Sequence, residues 1–216
     1  MRRKIIGISI IICGLCIACL PFLLSNCTQQ EFSHIIGNYN DTVTAQSDEQ
    51  LDDDMNAAKE YNKIISGGIG DEQNYYDLLA YGDESTMGYI TIPKLEITLP
   101  IYHGTSDSVL SKGVGHMQGS SLPIGGASTH SVLVGHTGLS YEIFDRLSEL
   151  NQGDKFYITV QNRKLEYTVI DKTIVKPDNT DYGEIVNGKD YCTLVTCYPL
   201  GINSHRLLVT GEHELQ

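Results

Sequence analysis

Tyr191-Cys192-Thr193-Leu194-Val195-Thr196-Cys197-Tyr198-Pro199-Leu200-Gly201, continued by Ile202-Asn203-Ser204-His205-Arg206-Leu207-Leu208-Val209-Thr210, is the stretch whose reading decides the fold. Two runs rich in β-branched and aromatic residues, Tyr191 to Thr196 and Leu207 to Thr210, flank a Pro-Gly turn. Such side chains fit a pleated surface, and Pro and Gly punctuate strands. Similar runs lie upstream at Tyr89 to Ile92, Ile97 to Ile101, Ser131 to Val134, Lys155 to Val160 and Leu165 to Ile170, separated by Gly, Pro, Asn and Asp. This spacing predicts a mainly β domain of seven to eight strands, closed as a barrel or stacked as a sandwich. Gly113, Gly115, Gly119, Gly125 and Gly126 fall in a long connection and lack the strand-to-helix context of a phosphate loop.

Ahead of the strands, Asp52, Asp53 and Asp54 suit a helix N-terminus, and Met55, Ala58, Tyr61, Ile64 and Ile65 recur at helical spacing until Gly67-Gly68. Residues 26 to about 50 are polar and read as a stalk or loose arm. The N-terminus opens with Arg2, Arg3 and Lys4 before an apolar run from Ile5 to Leu24, long enough for a helix to cross about 30 Å of hydrocarbon. The positive flank predicts a cytoplasmic N-terminus, with everything after Ser25 outside the cell. Ser25-Asn26-Cys27 lacks a small-x-small cleavage pattern, which favours an uncleaved anchor over a removed signal peptide. The expected organisation is a cytoplasmic 1–4, a membrane anchor 5–24, an extracellular stalk and helical lid-like segment 25–87, a catalytic barrel 88–213 and a tail 214–216.

A formal net charge of −12 argues against a nucleic-acid partner, which calls for a Lys/Arg stripe. Of six cysteines, Cys13, Cys16 and Cys19 sit in the apolar run, where a small polarisable side chain is ordinary filler. Cys192 and Cys197 are five apart on one strand, so their side chains face opposite ways and cannot bridge. Unpaired thiols in an exported domain point to a Cys kept for reactivity. No His/Asp/Glu cluster has metal-ligand spacing, and neither a metal nor a cofactor is expected.

Cys197 stands at a strand end, where a sheet fixes a nucleophile while exposing it. His136, in Leu133-Val134-Gly135-His136-Thr137-Gly138, follows another strand between two glycines. A thiol with a pKa of about 8.5 and an imidazole of about 6.5 can share a proton near neutrality. Among seven histidines, His116 and His130 are its rivals. Arg206 opens the last strand, where a short turn returns the chain beside Cys197; a guanidinium there can stabilise an oxyanion.

Thr193 to Cys197, with Gly201 to Val209, closely resembles the active-site strands of sortases, and Val134-Gly135-His136 resembles their catalytic-histidine segment. Gly88 to Pro93, Pro100 to Thr105, Gly113 to His116 and Ser120 to Pro123 are similar to the pilus-building class C branch, and the likeness covers about residues 50 to 213. The resemblance implies a sortase β-barrel in which Cys197 attacks the Thr-Gly bond of an LPXTG-like sorting signal on a pilin or other surface protein. It further implies that His136 acts as acid and base, that Arg206 holds the substrate and its oxyanion, and that Thr196 helps orient substrate. The acceptor would be a pilin lysine, or in other sortases a cell-wall precursor; a hydrolytic cysteine peptidase shares the first step. No Asp-Pro-aromatic lid motif of the class C kind occurs in residues 26–87, and no second apolar segment follows the barrel.

Overall fold

The computed structural model describes residue 14 and residues 29–67, 74–138, 143–179 and 181–215. Eight strands form a closed barrel: β1 (Gly88–Ile92), β2 (Ile97–His103), β3 (Val114–His116), β4 (Thr129–Val134), β5 (Lys155–Val160), β6 (Arg163–Val175), β7 (Asp190–Tyr198) and β8 (His205–Glu212). Around the barrel they run β1-β2-β3-β4-β7-β8-β6-β5, and β5 pairs with β1 to close it. Closure removes the unpaired edges that an open sheet would expose. The pairs β2/β3 and β4/β7 are parallel, which requires long connections. Those connections carry the walls of the site described below.

Inward-facing Ile90, Ile92, Leu99, Ile101, Leu133, Ile158, Leu194 and Val209 fill the core, each essentially fully buried. At the barrel end, Asp190 is buried and accepts from Gly126 N (2.9 Å), Tyr167 Oη (3.0 Å) and Thr129 Oγ1 (3.3 Å). Three donors satisfy the carboxylate's lone pairs where water does not. Its pKa is still raised by burial.

The N-terminal part differs from the sequence expectation. Residues 29–45 form a helix, α1, rather than a loose arm. Phe32, Tyr39 and Val43 lie on one face and are buried in the main core. Tyr39 Oη accepts from Gln161 N at 2.7 Å, and its ring meets those of Tyr81 and Tyr89 edge-on. The next helix, α2 (Asp48–Ser66), starts a turn earlier than the acidic run suggested, because Ser47 and Gln50 make a capping box. Leu51, Met55, Ala58, Tyr61 and Asn62 form its buried face. Asn62 exchanges two hydrogen bonds with the backbone of Leu122, at 3.0 and 2.6 Å. No helix among the described residues is long and apolar enough to cross a membrane. The apolar run from Ile5 to Leu24 lies, apart from Gly14, outside the described residues.

Candidate active site

Along β7, alternation sends Cys192 and Leu194 into the barrel core, while Val195 joins Val132 and Leu208 in a small outer cluster. Cys197 shares the face of Val195, so its thiol stands on the outer wall of the barrel. The strand runs past Cys197 to Tyr198, where the sequence suggested that it stopped at Thr196. Cys197 therefore sits inside a ladder, directly opposite Arg206, with Tyr198 opposite His205 beyond it. The connecting turn is closed by Ile202 N and Asn203 N, which both donate to Pro199 O. Arg206 Nη1 donates to His205 O at 3.0 Å and Asn203 O at 3.4 Å, steadying the guanidinium over the turn.

His136 lies just beyond β4. Its backbone is fixed from three directions: Gly135 N donates to Val195 O (3.0 Å), Thr196 Oγ1 donates to Gly135 O (2.8 Å), and Phe144 N donates to His136 O (3.1 Å). A Cβ on Gly135 would lie 2.4 Å from the ring of Phe144, so a larger residue would push this segment off the buried aromatic. Thr196 is buried and lines the cleft with its hydroxyl engaged on Gly135, holding the histidine segment against β7.

Cys197, His136 and Arg206 all line one cavity of about 260 Å³. Leu110, Met117, Val134, Val195 and Tyr182 give it apolar walls, and Thr105 and Asp107 stand at its rim. Among the described residues, none from 29–67 or 74–87 lines it. The rim comes from α3 (Asp107–Leu110) and the loop before it, and Tyr182 comes from the β6–β7 connection. Neither was singled out in the sequence, because a loop's approach to a distant strand leaves no periodic trace.

The rival histidines go elsewhere. His116 is fully buried, its Nδ1 2.8 Å from Tyr75 Oη and its Nε2 2.8 Å from Ser121 O, and burial pushes its pKa down to about 4. His130 is buried between Glu184 O and Thr193 Oγ1, and burial lowers its pKa as well. Cys192 is enclosed in the core, where desolvation raises its pKa and keeps it a neutral thiol. Among the described residues no group of three or more His, Cys, Asp or Glu could hold a metal ion.

A thiol, an imidazole and a guanidinium gathered on the outer wall of a closed eight-stranded barrel are the equipment of a cysteine acyl transferase. The Sortase domain model matches residues 90–214, more than half of the chain, and the chain belongs to the sortase family. Its structural neighbours are class C sortases. Sortase C1 from Streptococcus agalactiae is 45% identical, with a TM-score of 0.79 and coverage of 84% of this chain and 98% of that one. Sortase C of Clostridium perfringens, solved with the C-terminal cell wall sorting motif, is 42% identical, with a TM-score of 0.77 and the same coverage. A curated relative, sortase A of Streptococcus agalactiae serotype III (strain NEM316), is 33% identical over 115 residues, 51% of this chain and 46% of that protein. The chain thus spans just under half the length of that relative.

Proposed function

We propose that this protein is a sortase transpeptidase of the pilus-assembling kind, which cleaves an LPXTG-like sorting signal at its Thr-Gly bond and passes the acyl group to a pilin lysine. The observation that carries the reading is the direct pairing of Cys197 with Arg206 across β7 and β8, with His136 on the same apolar cleft. Likeness to class C sortases, one of them solved with a cell wall sorting motif, supports the substrate class.

In this reading the Cys197 thiolate attacks the threonine carbonyl carbon, and the electron pair moves onto the oxygen. Arg206, always charged and anchored by its turn, hydrogen-bonds that oxyanion. Collapse breaks the C–N bond as protonated His136 delivers its proton to the leaving glycine amine, and a thioester remains. The incoming lysine amine attacks the thioester carbonyl, His136 takes up its proton, and the thiolate leaves as an isopeptide bond forms. Thr196 acts through the backbone of Gly135, keeping His136 beside the thiol. The apolar walls suit the hydrophobic part of the signal and limit water, which would otherwise hydrolyse the thioester. An anchor at residues 5–24 would hold the catalytic domain on the outer face of the cell membrane, where substrate and acceptor meet.

Intact mass of the protein incubated with an LPXTG-type peptide tests this, with and without a pilin-derived lysine donor and beside Cys197→Ala. An acyl adduct on the parent alone, resolved into ligated peptide by the lysine donor, is expected. Resolution by a peptidoglycan cross-bridge amine in preference to lysine would overturn the pilin acceptor. Release by water alone would make the enzyme a peptidase.

A further inference from the structure

The outer face of the barrel carries three rows of side chains. Cys197 and Arg206 form the first, and Val195, Leu208 and Val132 the second. The third is polar: His130 of β4, Thr193 of β7 and Thr210 of β8, with His130 Nε2 2.7 Å from Thr193 Oγ1 and that oxygen 2.9 Å from Thr210 Oγ1. The other ring nitrogen, Nδ1, lies 2.7 Å from Glu184 O. A carbonyl only accepts, so Nδ1 carries the proton and donates, while Nε2 accepts from the Thr193 hydroxyl. Thr210 then donates to Thr193. A neutral imidazole in one tautomer satisfies every member of the row.

Glu184 belongs to the connection between β6 and β7. Its neighbour Gly183 lies flat on the barrel wall, where a Cβ would come 2.7 Å from Val132 Cγ2. The residue before that, Tyr182, packs on the Val132, Val195 and Leu208 cluster and forms a wall of the Cys197 cleft. Thr193 is four residues from Cys197 along an extended strand, about 13 Å, so the His130 ring cannot reach the reacting atoms.

We propose that His130 is a positioning residue for substrate recognition: its bond to the Glu184 carbonyl clamps the β6–β7 connection so that Tyr182 closes the apolar side of the cleft. This rests on the transpeptidase reading. His130 acts on the acyl-donor peptide only through Tyr182, and its loss widens the cleft without altering the thiol.

The test joins kinetics to hydrogen–deuterium exchange in the full chain. His130→Phe keeps a ring but loses both bonds. It is expected to speed amide exchange over residues 181–187 and to raise KM for a sorting-signal peptide about tenfold, the worth of one lost buried hydrogen bond. The kcat should stay within about twofold and alkylation of Cys197 should be unchanged. His130→Asn, whose amide nitrogen takes the place of Nδ1, should recover most of the affinity. In a Tyr182→Ala background, His130→Phe should add nothing. Gly183→Val, whose Cβ would meet Val132 Cγ2 at 2.7 Å and the His130 ring at 3.5 Å, lifts the connection while the imidazole itself is kept, and should reproduce the KM rise even where His130→Phe folds poorly. Unchanged exchange in a folded His130→Phe, a KM effect that persists in full without Tyr182, or alkylation of Cys197 that slows in parallel would each overturn the proposal. A parent that turns over no sorting peptide would refute the transpeptidase reading instead, and the exchange arm would still decide whether His130 holds the connection.

Discussion

Cys192 and Cys197 belong to one strand and differ only in the face they occupy. The inward thiol is sealed in the core and held neutral by desolvation; the outward one meets a cleft with an imidazole and a guanidinium. Peptide mapping after brief iodoacetamide treatment of native protein should find label on Cys197 and none on Cys192. The roles proposed for the partners set magnitudes. His136→Ala should lower kcat/KM for a sorting peptide by roughly 10²–10⁴-fold, the usual worth of a positioned acid–base group. Arg206→Lys keeps the charge but loses the planar fork, and should cost about 10²–10³-fold in kcat. Steady-state kinetics check both, and a variant retaining full activity would remove that residue from the mechanism. Cys197 and Arg206 were readable because the turn between them is short, which forces near neighbours in sequence to become neighbours in space. His136 came from its glycine-flanked setting and the family resemblance; geometry then separated it from His116 and His130, whose burial no sequence pattern records.

Among the elements, α1 was misread as a loose arm. Phe32, Ile35, Ile36, Tyr39 and Val43 recur at helical spacing, a period masked in the sequence by the Gln, Asn, Ser and Thr around them. Its buried face is what fixes it, and Tyr39 is the anchor because it fills space and takes a hydrogen bond from Gln161. Tyr39→Ala should destabilise the fold by about 3–5 kcal/mol, the range for truncating a buried aromatic. Urea unfolding measures that loss. Alkylation of Cys197 in the folded variant should keep its rate, because Tyr39 packs near β1 and β1 stands four strands from β7 either way round the barrel. For α2, Asn62→Ala would leave the buried Leu122 N–H unpaired, its C=O keeping only Ile124 N, and should cost about 1–3 kcal/mol. The three-residue β3 was not foreseen as a strand, since Val114-Gly115-His116 is too short to display a period.

For the molecule as a whole, buried titrating groups set the pH response of stability. His116 is fully buried, with a folded pKa near 4 against about 6.5 when unfolded. Between those values the unfolded chain binds the extra proton, so stability is fully present above about pH 6.5 and falls as pH drops towards 4. His130 and His103 are lowered in the same direction. Asp190 works the other way: its raised pKa makes the folded state the better proton binder, which weakens the fold as pH rises through and beyond the ordinary carboxylate range. Three buried histidines act in the same direction as pH falls below 6.5. Urea midpoints should decline between pH 6.5 and 5 by an amount that shrinks in His116→Gln, whose side chain does not titrate; an unchanged slope would show that His116 is not the source. By itself the sequence determined the family, through its motifs, and the mainly β class and seven of the eight strands, because strand alternation and short turns are local physics written in adjacent residues. Only the tertiary structure decided that α1 is part of the core, that His116 and His130 are buried pins, and that Tyr182, Leu110 and Met117 wall the cleft. Those assignments depend on closing the barrel, which brings together side chains from distant parts of the chain whose meeting no local pattern encodes.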